Sequence, residues 1–165
     1  MLYVELVMSI DRLIEAARTA APKPARWPAA AVLAHVADTD DQVWWPRIAR
    51  MITDSPGDVP VTFGPWEPDP ADVLRRHRDA AVDDAAARAM ANRVALVTRL
   101  RDLSDVQWSS TAVQEGVGQI DVETMIYLVL AYDEQQRAAL VLEDVSADGL
   151  QQGGEGADDR DRFLP

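Results

Sequence analysis

The chain contains no cysteine and one lysine, Lys23, and among its 165 residues there are two histidines, His35 and His77. Without cysteine there can be no disulfide, thiolate metal site or cysteine nucleophile, so any metal would have to bind through nitrogen or oxygen. Basic residues number 16 against 28 acidic ones, a formal charge of −12 at pH 7. Nucleic-acid binding relies on concentrated Lys and Arg displacing counterions, so this balance speaks against a nucleic-acid partner. The same acidity repels anionic membranes. No uncharged apolar stretch approaches the ~20 residues that a bilayer-spanning helix needs. The opening Met1-Leu2-Tyr3-Val4-Glu5 also lacks the basic region of a signal peptide. The expectation is a cytoplasmic protein whose partners are small molecules or protein chains, a second copy in a homodimer included.

What is present is enough apolar residue, 48%, to build one buried core in one domain. Four segments carry the helical period, and none of comparable length alternates as a strand would. The first has its stripe at Leu2, Leu6, Ile10, Leu13, Ile14 and Ala17 and is ended by Pro22 and Pro24. The second starts near Pro28, a good first-turn residue, and runs to about Thr53, with Pro46 inside it predicting a kink near Trp44-Trp45 or a break. A long connection, Asp54 to Pro70, holds Val61, Phe63 and Trp66 and is expected to pack over the bundle. The third helix is expected from about Pro70 to Leu103, on a stripe of Val82, Ala86, Met90, Val94, Val97 and Leu100. A second connection with Trp108, Gly116 and Gly118 leads to the fourth helix, Asp121 to Asp144, whose stripe is Val122, Met125, Ile126, Val129, Tyr132, Gln136 and Leu140. The fold expected is all-α: a four-helix bundle over residues 1–146 with two long inter-helix connections. Residues 147–165 form an acidic, Gly-rich tail that cannot build a core.

His35 follows Val32 by three residues and precedes Thr39 by four, which places it at or beside the buried face of the second helix. A histidine there is either hydrogen-bonded within the bundle or a ligand. Asp38, Asp40 and Asp41 read as a solvated helix face, because adjacent residues do not point together. His77, between Arg76 and Arg78, reads as part of an exposed basic patch. Trp44 and Trp45 lie about 100° apart around a helix. One of them therefore faces inward and, with Trp66 or Phe63, lines a pocket or covers a bundle end. Ser104, Ser109 and Ser110 have no histidine in a hydrolase pattern, which leaves nucleophilic catalysis without support.

From about Trp27 onward the chain resembles the DinB-like four-helix bundles. The likeness lies in Trp27 eight residues before His35, the His-x-x-Asp of His35 and Asp38, the glycine-bearing turn before the fourth helix, and the run Asp133-Glu134-Gln135. The resemblance implies kinship with metal-dependent hydrolases and thiol transferases, among them the N-terminal domain of mycothiol-dependent maleylpyruvate isomerase. It also implies one divalent ion, zinc, nickel or manganese, held by histidines at the positions of His35, Tyr132 and Gln136. Residues four apart on a helix face the same way and can share an ion with a neighbouring helix. Here two of those positions carry a phenol and an amide, which are poor ligands for such ions.

Three readings follow from that exchange. In the first, His35, Tyr132 and Gln136 form a hydrogen-bonded trio, no cofactor is needed, and the degraded metal site binds a small molecule with Thr39, Trp44 and Trp66. In the second, an ion is retained by His35 with Asp38, Asp133 or Glu134 as substitute ligands and supports thiol transfer or hydrolysis. In the third, the bundle surface and tail make the chain a homodimeric interaction protein. Helical geometry turns Asp133 and Glu134 away from the stripe of Tyr132 and Gln136, which favours the first.

Overall fold

The computed structural model describes residues 1–22, 26–54 and 60–141. Its elements in chain order are α1 (Leu2–Thr19), α2 (Ala29–Thr39), a π turn (Asp40–Trp44), α3 (Trp45–Asp54), β1 (Val61–Phe63), α4 (Pro70–His77), α5 (Val82–Arg101), α6 (Asp105–Trp108), β2 (Thr111–Gln114), β3 (Gly118–Asp121) and α7 (Val122–Val141). The bundle is made by α1, the continuous α2–α3 rod, α5 and α7. The expected tail, and the last residues of the expected fourth helix, lie outside the described residues.

Pro46 does not break the second helix. A proline within an α-helix has no N–H to give and its ring meets the carbonyl four residues back. The chain accommodates it by widening into the π turn just before it, in which the Trp45 N–H reaches the Asp40 carbonyl, five residues back. Both Asp40 and Trp44 end up buried.

The third helix differs more from expectation. It is two helices, α4 and α5, separated by a turn at residues 78–81. No proline or glycine stands there, so the break is tertiary. Asp69 caps α4 by accepting from the Ala71 N–H at 2.9 Å, Val73 is buried, and His77 bonds Asp38 on α2 at 2.8 Å. The buried face of α5 is Ala85, Ala86, Ala89, Arg93, Leu96, Val97 and Leu100, while Val94 from the expected stripe is exposed.

The two long connections meet in a three-stranded sheet ordered β1-β2-β3. β1 runs parallel to β2, pairing Val61 with Ala112 and Phe63 with Gln114, and β2 is antiparallel to β3. Strands of three or four residues are too short to show a period of two, which is why the sequence reads as loop there. Gly116, at φ 81°, makes the turn between β2 and β3 with a backbone that other residues rarely adopt. Arg47 of α3 fastens the sheet to the bundle by donating to Gln114 Oε1 at 2.8 Å and to the Gly64 carbonyl at 3.0 Å.

The core is divided. One apolar cluster, with Leu6, Trp44, Ile48, Phe63, Leu96, Met125 and Val129, packs beneath the sheet. Another, with Ile10, Leu13, Leu33, Val36, Ala86, Ala89 and Leu140, fills the rest of the bundle. Between these residues along the chain, each bundle rod contributes a buried polar group: Ser9, Asp40, Arg93 and Asp133. Arg93 is 0% exposed. Its Nε donates to Asp40 Oδ2 at 2.8 Å, and its two Nη atoms reach Asp133 at 2.5 and 3.0 Å, Asp40 Oδ1 at 3.2 Å, and both the Leu6 carbonyl and Ser9 Oγ at 3.0 Å. Ser9 in turn donates to Asp133. Asp40 and Asp133, read from the sequence as solvated or turned away, are therefore core groups.

Burial of a charge is tolerable only where it is paired and fully hydrogen-bonded. Arg93→Met would leave two carboxylates without their cation, and a destabilisation of about 3–5 kcal/mol is expected. Urea unfolding followed by circular dichroism measures it, and an unchanged midpoint would show that the guanidinium is dispensable.

Candidate functional site

His35 sits on α2 within the apolar run from Ala30 to Ala37 and is 2% exposed. Its Nε2 lies 2.6 Å from the hydroxyl of Tyr132 on α7. Four aromatic side chains gather at this point. Trp66 stacks on the imidazole with ring centres 5.9 Å apart and planes 9° from parallel. Trp27 meets it edge-on at 5.1 Å, and Trp44 packs edge-on against both Trp66, at 6.2 Å, and Tyr132, at 5.9 Å. Edge-to-face and offset contacts at such separations suit the quadrupoles of the rings.

Each aromatic arrives by a different structural device. Trp27 stands just before α2, Trp44 is turned inward at the end of the π turn, and Trp66 comes from the connection that leaves β1. Pairing of β1 with β2, together with Arg47 on the Gly64 carbonyl, fixes the start of that connection.

Burial lowers the His35 pKa to about 4, with smaller contributions from His77 and Arg76. Burial, and then the charge of Asp133, raises that of Tyr132 above the ordinary phenol range. Both groups are thus neutral at pH 7. We assign the Tyr132 hydroxyl as the donor and Nε2 as the acceptor, because the reverse tautomer would leave a buried hydroxyl hydrogen without an acceptor. The Nδ1 atom then carries the hydrogen. It is buried without a partner among the described residues, as is the indole Nε1 of Trp44.

The structure brings His35, Tyr132, Trp44 and Trp66 into contact. Thr39 is buried beside them, donates to the Val36 carbonyl at 2.8 Å, and shares with His35, Gln42, Trp66 and Arg76 a cleft of about 230 Å³. Gln136 is not joined to His35 or Tyr132 by a hydrogen bond, so the expected trio is a pair. Its side chain lines a second cleft, of about 290 Å³, together with Trp27, Val32 and Leu140.

Asp38 and His77 depart from their sequence reading. Asp38 is buried and is engaged by His77 Nε2 at 2.8 Å, by Arg76 at 3.4 Å and by Arg88. His77 therefore ties α4 to α2 instead of belonging to an exposed patch. Of the other carboxylates considered as ligands, Asp133 is held by Arg93 and Glu134 by Arg137 at the surface. Among the described residues no three His, Cys, Asp or Glu side chains come together as a metal cage.

Sequence reasoning missed Trp27 as a site residue and the Arg93 layer entirely. A signal was available for the latter. Arg93 lies on the line of Ala86, Ala89, Leu96 and Leu100, and Asp133, four residues after Val129 and three before Gln136, lies on their buried face instead of being turned away from it as expected, so a cation and an anion each stood on a buried helix face.

The neutral imidazole has a consequence for stability. His35 takes up a proton near its ordinary value of 6.5 when unfolded and only near 4 when folded. Its contribution is therefore complete above pH 6.5 and is lost as the pH falls toward 4, by about 3 kcal/mol. His77, whose pKa burial also lowers, acts in the same direction, while Asp40, raised by burial, opposes it. The expected result is that the urea-unfolding free energy of the wild type, relative to His35→Gln, shrinks by roughly this amount between pH 6.5 and 4.

The architecture and the sequence both have known counterparts. The chain superposes on YfiT from Bacillus subtilis, described as a probable metal-dependent hydrolase with an unusual four-helix bundle topology, with a TM-score of 0.65 and 18% identity over 84% of this chain and 81% of that one. At that identity the likeness carries the fold. No curated protein sequence matches the chain. The DinB superfamily pattern matches it over residues 3–153, from α1 through the sheet to α7, and so the chain belongs to the DinB superfamily.

Proposed function

We propose that this DinB-family protein binds a small organic molecule around the His35–Tyr132 pair, and that its metal site is degraded. The observation that carries the reading is the hydroxyl of Tyr132 at 2.6 Å from His35 Nε2. A metal-binding imidazole needs a free nitrogen lone pair, and the assigned tautomer already uses it.

The donor set supports the same reading. If the family's metal-ligand positions are those of His35, Tyr132 and Gln136, the groups offered to an ion are one bonded imidazole, one phenol held protonated, and one amide. Zinc and similar ions prefer imidazole, thiolate or carboxylate. These residues do not fit such an ion, and the carboxylates that would have to replace the missing imidazoles are engaged by Arg76, Arg88, Arg93 and Arg137. The description of YfiT as a probable metal-dependent hydrolase therefore does not transfer with the fold. With a pKa near 4, His35 is suited to hydrogen bonding and is a weak base at neutral pH. Two clefts flanked by tryptophans, each with a few polar groups, have the makeup of small-ligand sites.

Elemental analysis of untagged protein purified without chelator tests the proposal. The expected content of zinc, nickel and manganese is well below one equivalent, unchanged by His35→Ala. The double variant Tyr132→His, Gln136→His is expected to take up zinc. A stoichiometric ion in the wild type that is lost on His35→Ala would overturn the reading.

A further inference from the structure

We propose a second binding site, for a small organic cation bearing a trimethylammonium group, in the cleft lined by Tyr3 of α1, Trp108 of α6 and Tyr127 of α7 together with the carboxylates of Glu5 and Glu123. This site is independent of the reading at His35.

The cleft has a volume of about 460 Å³ and opens to solvent, a size ordinary for small-ligand sites. Tyr3 and Trp108 are its fixed part. Their rings meet edge-on, with centres 6.2 Å apart and planes at 65°, and both pack against the apolar cluster beneath the sheet. The Tyr3 hydroxyl lies 3.4 Å from the Leu100 carbonyl, and Trp108 ends α6, whose first turn is locked by reciprocal capping bonds between Ser104 and Gln107. Tyr127 is 51% exposed. It stands one helical turn after Glu123, with its hydroxyl 3.4 Å from Glu123 Oε1.

Charge gives the cleft its sign. The ionised side chains that line it are both carboxylates, and no arginine borders it. One ammonium stands at its edge, on Met1, which is fully exposed to solvent. Desolvation, and then the charges of Glu123 and Glu5, hold the Tyr127 phenol above its ordinary value, so both carboxylates act on the same hydroxyl from two different helices. An aromatic face is the negative pole of the ring quadrupole and attracts cations. Rings and carboxylates therefore favour the same sign of ligand.

The form of the cation follows from hydration. A carboxylate or phosphate would be set against two negative charges. A primary ammonium is strongly hydrated, and the exposed Glu5 and Glu123 would have to replace its water. A trimethylammonium group has no N–H to satisfy, and it offers methyl groups and positive charge to the rings together. An uncharged tert-butyl group of the same shape would keep the ring contacts and forgo the charge.

Choline is the probe, with neohexyl alcohol as its uncharged tert-butyl isostere and glycine betaine as a zwitterionic analogue. In the ¹⁵N-labelled full chain, choline is expected to shift the Trp108 indole N–H signal saturably and to bind about fivefold more tightly than either analogue. Its affinity is expected to fall as added salt screens Glu5 and Glu123. Tyr127→Leu, and separately the double variant Glu5→Gln, Glu123→Gln, are each expected to weaken choline by about fivefold, and urea unfolding verifies that each variant keeps the bundle. If the two glutamates served only the positive N-terminal ends of α1 and α7, the double variant would lower the unfolding midpoint and leave choline affinity unchanged, which overturns the proposal. Absence of saturable shifts overturns it as well, as does either analogue binding as tightly as choline.

Discussion

One guanidinium holds the bundle together. Arg93 lies where the two apolar clusters meet and reaches α1 through Leu6 and Ser9, the π turn through Asp40, and α7 through Asp133. Hydrophobic packing is non-directional, and amphipathic helices can slide or rotate against one another at little cost. A buried cation with fixed donor geometry removes that freedom, because every alternative register leaves a charge unpaired. Asp40 can take part only because the π turn required ahead of Pro46 turns it inward. The backbone irregularity and the charge layer are thus one device.

The site depends on the same constraint. Asp133 and Tyr132 are neighbours on α7, so the grip of Arg93 on one fixes the rotation that presents the other to His35. Trp44 closes the π turn whose first residue, Asp40, Arg93 also holds. The connection that leaves β1 then delivers Trp66. Burial in an aromatic enclosure of this kind raises the cost of any charge within it, which keeps the His35 imidazole neutral down to about pH 4 and the Tyr132 phenol protonated beyond its ordinary range. A strong hydrogen bond between neutral groups survives there where an ion would need better ligands.

Membership of the DinB superfamily therefore carries different weight for fold and for chemistry. The four-helix bundle is that of the family. In our proposal the chemistry has changed with two side chains on α7. One of them, Tyr132, consumes the lone pair of His35. The other, Gln136, lines a cleft beside Trp27. A fold that persists while its ligands are exchanged is the expected outcome when scaffold stability rests on groups outside the site, and here it rests on Arg93 and its carboxylates.

Much of this was readable in the chain. The stripe Leu6, Ile10, Leu13, Ile14 and Ala17 placed α1, the run around His35 placed α2, and Val122, Met125, Ile126 and Val129 placed α7, because burial of apolar surface dictates a period of 3.6 along a helix. Spacing also put Tyr132 and Gln136 on one face of α7, and the resemblance to the DinB-like bundles implied that His35 is their neighbour. The break between α4 and α5 was hidden, since no glycine or proline signals it and the contacts that hold α4, His77 and Arg76 on Asp38 and the burial of Val73, are tertiary. The sheet was hidden as well, its strands being shorter than the pattern that would reveal them. What the sequence determined by itself was the four rods of the bundle, since these follow from local periodicity. Which polar groups are buried together, that Arg93 sits between Asp40 and Asp133 and that Tyr132 rather than Gln136 meets His35, was decided only by tertiary packing, because hydrogen bonds and ion pairs depend on ångström-scale distances between segments far apart in the chain.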